Sequence, residues 1–349
     1  MFSDQGNTSA APAGDLAVVA AFGKHPGWDD HIEDIGLNTA LLVQIKRELY
    51  LDAIAGNING GSWQHLDARD KLPGFNHLFL MRRQSHLVVG RLWSSSDGVG
   101  RRAYPMVVCA QLPGSVPLTV AIDHAGAYLE QLKAGCEAAV QSDAVREAVA
   151  ACQQAIARAP AATLPSPEPS LVDAAAIART ACDGEVGFDR VIYHLTRERQ
   201  RLTTDATTVS FRLPAAEAPG WPALRHWWPI VRAELGSGPL TLIGSPDHAW
   251  VDTVAGPLNA DAAFALLASP ARVPLVSSIP YDLDAGFIQG VHARYSAPVP
   301  SASAAARPAT DRRPSPLATL SGDRVMLALV AAALALLVLV VLVVLVIFR

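Results

Sequence analysis

Asn76 to Leu112 reads NHLFLMRRQSHLVVGRLWSSSDGVGRRAYPMVVCAQL. Three runs in it, Asn76–Met81, His86–Trp93 and Tyr104–Leu112, are rich in β-branched and aromatic residues, and turn-like RRQS and SSSDGVGRR separate them. The short first connection predicts a hairpin, so at least part of the sheet is antiparallel.

Working outward, Leu16–Phe22 (LAVVAAF) is a short apolar run closed by Gly23 and suits a buried strand. Asn38–Ala55 sets Leu41, Leu42, Ile45, Leu49 and Ile54 at helical spacing around Lys46, Arg47 and Glu48, which predicts an amphipathic helix packed on the sheet. Val120–Ala159 is alanine-rich with helical period and predicts two helices, after which Val209–Leu213, Leu240–Ile243 and Trp250–Val254 return to strand patterns. The fold class expected is an α/β sandwich: a largely antiparallel central sheet flanked by helices, spanning residues 16–295. Within it, Ala159–Ser170 (APAATLPSPEPS) holds four prolines in twelve residues and predicts a long loop or a break between halves.

The flanks differ in character. Residues 1–15 are small and polar, with no basic and apolar segments of a secretory leader, and are expected to be disordered and to keep the body in the cytoplasm. Residues 296–323, rich in Pro, Ala and Ser, predict a disordered tether. Val325–Phe348 is 24 residues without a charge or a glycine, 18 of them Val, Leu, Ile or Phe. At 1.5 Å per residue that length covers a hydrocarbon core of about 30 Å, and the side chains favour insertion by about 5 to 10 kcal/mol. Arg312, Arg313 and Arg324 precede the stretch and only Arg349 follows it, so the expectation is a tail anchor in the inner membrane with the N-terminal domain in the cytoplasm.

A net charge of −4 with scattered Lys and Arg offers no footprint for a phosphate backbone, so nucleic acid is not an expected partner. Cys109, Cys136, Cys152 and Cys182 lack C-x-x-C or zinc spacing and sit in apolar or alanine-rich surroundings, which predicts buried free thiols.

Three clusters could carry chemistry. Gly23-Lys24-His25-Pro26-Gly27-Trp28-Asp29-Asp30-His31-Ile32-Glu33-Asp34 follows the first strand. Its histidines and acids could hold a divalent ion or supply a base, and a membrane-tethered metal-dependent hydrolase on His25, Asp29, Asp30 and His31 is the alternative function. Zinc spacing, the calcium-loop order and the phosphate-loop frame are all absent, so the plainer reading is a strand-exit turn with no metal or cofactor assigned. Ser94-Ser95-Ser96-Asp97-Gly98-Val99-Gly100-Arg101-Arg102 suggests a hydrolase loop but has no nucleophile elbow, and Asp with two glycines is what a tight loop needs. His226-Trp227-Trp228-Pro229, with Trp221 and Trp250, would fill a core or, if exposed, anchor an interface.

At these clusters the sequence resembles the TagF (ImpM) family of type VI secretion accessory proteins. Gly23, Lys24, Pro26 and Asp30 match its G-K-x-P-x-x-G-D-F motif, and Ser95, Asp97, Val99, Gly100, Arg101 and Pro105 match S-x-D-R-V-G-R before a Y-F-P strand start. Trp227, Trp228, Gly244, Pro246, Phe264 and Leu266 are similar to its C-terminal tryptophan run, G-L-P strand end and short helix. His31 stands where the family has Phe, and Gly98 replaces the first Arg of D-R-V-G-R. The resemblance implies an α/β domain without catalytic activity that represses the secretion machine, in part by binding a forkhead-associated scaffold protein. Lys24, Asp30, Asp97, Arg101, Trp227 and Trp228 are the positions it implies for partner binding or loop structuring, and the tail anchor marks a divergent, membrane-fixed member.

Overall fold

The computed structural model describes residues 17–28, 33–101, 104–139, 141–158, 169–204, 206–216 and 220–296. Eight strands make one sheet: β1 (Val18–Gly23), β2 (Glu33–Ile35), β3 (Asn76–Arg83), β4 (His86–Ser94), β5 (Pro105–Pro113), β6 (Val209–Pro214), β7 (Leu240–Ser245) and β8 (His248–Ala255). Their spatial order is β2-β1-β5-β4-β3-β7-β8-β6, and every pairing is antiparallel. The expected hairpin is β3–β4, in register from Asn76 opposite Trp93 to Arg83 opposite His86, so two residues, Gln84 and Ser85, make its turn. β7 follows the proline-rich stretch in sequence and yet pairs with β3, so both halves of the chain build the same sheet.

Helices cover both faces, which explains why the strands read as nearly unbroken apolar runs. On one face lies α1, a rod beginning at Ala40–Ile45, winding as a π-helix over Lys46–Ala55 and ending at Gly56–Gly60. It starts two residues later and ends five later than the apolar pattern suggests. Thr39 caps it by accepting from the Leu42 N–H (3.1 Å), and Asn57 extends it by donating to the Ala53 and Ala260 carbonyls. Phe22, Phe79, Met81, Val88, Leu92, Val107 and Cys109 pack beneath α1 and the short helical segment α7 (Ala260–Ala263, continuing through Phe264–Leu267).

The opposite face carries α2 (Val120–Gly126 running into Ala127–Ala138), α3 (Ser142–Arg158), α4 (Leu171–Ala181), α5 (Glu185–Thr204), α6 (Trp221–Leu235) and α8 (Ala285–Tyr295). Val19, Ala21, Leu78, Leu80, Val89, Trp93, Met106 and Val108 point into this second core. The alternation along β3 is the strand period at work: Leu78 and Leu80 face one core, Phe79 and Met81 the other. Gly90 lies directly across from Phe79, and a Cβ there would overlap the Phe79 ring, so the glycine makes room for a buried aromatic. All four cysteines are buried and unpaired.

Among the described residues no helix is long and apolar enough to cross a membrane. The expected membrane span, 325–348, lies outside the described residues, as do residues 1–15, the tether beyond Ser296 and most of the proline-rich stretch.

The outer strand β6 holds the least expected core residue. Arg212 is wholly buried, donating to both oxygens of Asp252 on β8 (2.6 and 2.9 Å) and to the carbonyls of Ala268 (2.9 Å) and Ala265 (2.8 Å). Its guanidinium also lies 4.5 Å from the Trp250 ring. Removing one partner of such a pair strands a buried charge, at a cost of about 3–5 kcal/mol. Asp252→Ala is therefore expected to lower unfolding stability by about that amount in denaturant titrations, while an Arg212→Met, Asp252→Leu double variant recovers most of it.

Candidate functional site

Gly23 ends β1 with φ +113°, and a side chain there would run into the Pro105 carbonyl and the Tyr50 ring. That backbone geometry turns the chain beneath the start of β5, where the Lys24 N–H donates to Pro105 O (3.2 Å) and Tyr50 donates to the same oxygen (3.1 Å). Lys24 is thereby aimed at the loop that joins β4 to β5.

In that loop Asp97 is fully buried at its side chain and accepts from three groups. Oδ2 takes the Lys24 ammonium and Arg101 Nε (3.0 Å), and Oδ1 takes the Arg101 backbone N–H (2.9 Å). Backbone bonds close the same turn: Gly100 N–H to Asp97 O (2.8 Å) and Asp97 N–H to Arg101 O (3.3 Å). Gly100 takes φ +87°, the left-handed conformation that favours glycine. The Gly98 N–H donates to Trp28 O (2.7 Å), so the two motif loops are joined by a main-chain bond as well as an ion pair.

The hydrogen bond from Lys24, with the Arg101 N–H and the lysine charge behind it, holds the Asp97 carboxyl below its ordinary value of 3.8 against the opposing effect of desolvation. The tip beyond this anchor is open. Val99 is 68% exposed, and Gly98, Gly100 and Arg101 are exposed beside it.

His25 has both ring nitrogens occupied: Nε2 donates to Cys136 O (2.7 Å) and Nδ1 accepts from the Gly27 N–H (2.9 Å). It is a buried strut between this loop and α2, which removes it from the ligand set of the metal-dependent hydrolase. Asp29, Asp30 and His31 lie outside the described residues. Beside the loop a cavity of about 260 Å³ is lined by His25, Trp93, Ser94, Ser95, Ser96 and Glu137 among others. Ser94 Oγ in its wall accepts from the Phe75 N–H (2.8 Å), as a loop-structuring residue does.

Trp227 and Trp228 are not at the surface. They are 1% and 8% exposed, and Trp227 donates its indole N–H to Pro214 O (2.6 Å). Of the two readings open to them, both tryptophans take the first, filling the core on the buried side of α6 rather than lying exposed as interface anchors. The structure brings Lys24, Asp97 and Arg101 together and leaves the tryptophans to the second core.

Residues 20–158 match the family model described as the TagF N-terminal domain, type VI secretion system-associated. This segment is a TagF N-terminal domain. Lys24, Asp97, Val99, Gly100, Arg101 and Pro105 all fall inside it, whereas Trp227, Trp228, Gly244 and Leu266 lie beyond the matched residues. The TagF domain associates the chain with type VI secretion. No curated protein matches the sequence significantly. Among solved structures, the crystal structure of PA0076 from Pseudomonas aeruginosa PAO1 aligns over 76% of this chain and 99% of that chain, with 18% identity and a TM-score of 0.37.

The depressed carboxyl predicts a pH signature. A group whose pKa is lowered by folding stabilises the native state above its unfolded value, and that contribution is lost as pH falls through the folded value. Asp97→Asn is expected to lower the unfolding midpoint at about pH 7, with the gap to wild type narrowing below about pH 4. Arg101→Ala, at a half-exposed position, is expected to cost less than Lys24→Ala in the same thermal scans.

Proposed function

We propose that this protein is a regulatory binding module of a type VI secretion system. It binds an apparatus component and represses it or tethers it at the inner face of the cytoplasmic membrane, without catalysing a reaction. The observation that carries the reading is the loop after β4: a rigid base at Asp97 beneath an exposed tip of Gly98, Val99, Gly100 and Arg101.

A recognition loop gains affinity when its conformation is fixed before binding, because less ordering entropy is lost on contact. Here Lys24 and Asp97, which fix the base of the loop, are buried, whereas Val99 at its tip is exposed. Val99 supplies an apolar anchor beside the Arg101 guanidinium that Asp97 orients, a combination suited to a protein surface with an acidic or phosphorylated rim. A forkhead-associated scaffold protein is the partner proposed, from the family resemblance.

The membrane part of the proposal rests on the hydropathy of 325–348 and the arginines before it. Held this way, the domain would meet its partner close to the lipid surface.

Crosslinking of the full-length protein in membranes, followed by mass spectrometry, tests the contact. Wild type is expected to capture secretion-apparatus proteins and Val99→Glu to lose them with an unchanged unfolding midpoint. Equal capture by both would remove the loop from the interface. Deleting 325–349 is expected to move the protein from the membrane to the soluble fraction, and retention at the membrane would refute the anchor.

A further inference from the structure

A second group of side chains lies where α5 meets α8, outside the loop described above. α5 opens with Glu185 and carries Asp189 one turn later, so both carboxylates project from one side of the helix. Near the end of α8, His292 faces them: its Nε2 is 3.6 Å from Glu185 Oε2 and 3.7 Å from Asp189 Oδ2. One ligand atom from each residue can be chosen so that all three lie within 4.8 Å of one another.

Asp189 sets this group apart from an ordinary surface ion pair. Its side chain is 5% exposed, its Oδ1 is buried with no hydrogen-bond partner, and its Oδ2 is turned toward His292. A buried carboxylate oxygen without a donor is costly, and a native fold that keeps one calls for an explanation.

We propose that Glu185, Asp189 and His292 form a binding site for a divalent transition metal of the zinc class, with one position left to water. Tetrahedral zinc bonded at about 2.0–2.2 Å sets neighbouring ligand atoms about 3.3–3.6 Å apart. The separations from His292 need only small side-chain adjustments to reach that figure. An imidazole with two carboxylates is a borderline donor set that favours zinc over calcium or magnesium, which prefer all-oxygen shells.

Arg179 supplies the outer support such a site requires. Its Nε donates to Glu185 Oε2 (2.8 Å) and its Nη1 donates to Tyr295 O (3.1 Å), so one guanidinium orients a ligand and grips the end of the helix that carries the histidine. In α8 only Val291 and Tyr295 are fully buried, so a metal bridging α5 and α8 would fasten a lightly packed helix.

The test uses the full-length protein, freed of metal by chelation and titrated separately with zinc chloride and cobalt chloride. One metal per chain, visible absorption typical of four-coordinate cobalt and a raised unfolding midpoint with zinc are expected. Glu185→Gln and His292→Gln change partly exposed side chains and leave the core intact. Each should weaken zinc binding by at least about tenfold and abolish the rise in midpoint. Equal zinc affinity in wild type and His292→Gln, or no zinc uptake by wild type, overturns the assignment.

Discussion

A sheet covered by helices on both faces has no wet side, and that constraint governs where this chain can place charge. Each ionised group buried in or beside the sheet must find its counter-charge inside, because an isolated buried ion costs several kcal/mol. Lys24 with Asp97, Arg83 with Glu48 and Arg212 with Asp252 are three answers to the same problem. In each, the partners are far apart in sequence, by 73, 35 and 40 residues. Such pairs add less net stability than apolar residues of equal volume would. They disfavour alternative registers, since a slip of one residue would strand both charges.

Much of the architecture was legible because it rests on local signals. The β3–β4 hairpin, the two helices after Val120 and the three late strands each carry their period in a short window. The strand order was not, since no local pattern says that β7, rather than β8, lies beside β3. Arg212 and Asp252 illustrate the gap. Each sits in a largely apolar run, VSFRLP and HAWVDTVA, and the signal that could have found them is that pair of opposite charges in two strands that are otherwise mostly apolar.

The candidate site was legible as a motif but not as a mechanism of presentation. Lys24, Asp97 and Arg101 stood out as residues, yet the division of labour among them depends on burial, which spacing does not reveal. Asp97 works inside, organising the turn, while Val99 and Arg101 face outward. His25 and the paired tryptophans took the plainer of the two readings open to each, a strand-exit turn and core filling, and their ring N–H groups go to carbonyl oxygens at Cys136 and Pro214.

The pairing of β3 with β7 has a consequence for what counts as a unit in this protein. The family match ends at Arg158, where α3 ends, but the sheet does not stop there. A fragment cut at that border would leave the β3 edge from Leu78 to Arg82 with its main-chain groups unpaired and would bare one half of the second core. An open apolar strand edge invites pairing with other chains. Inheritance and folding thus draw their borders in different places: the portion that evolution marks as a module is finished, physically, by the strands that come after it.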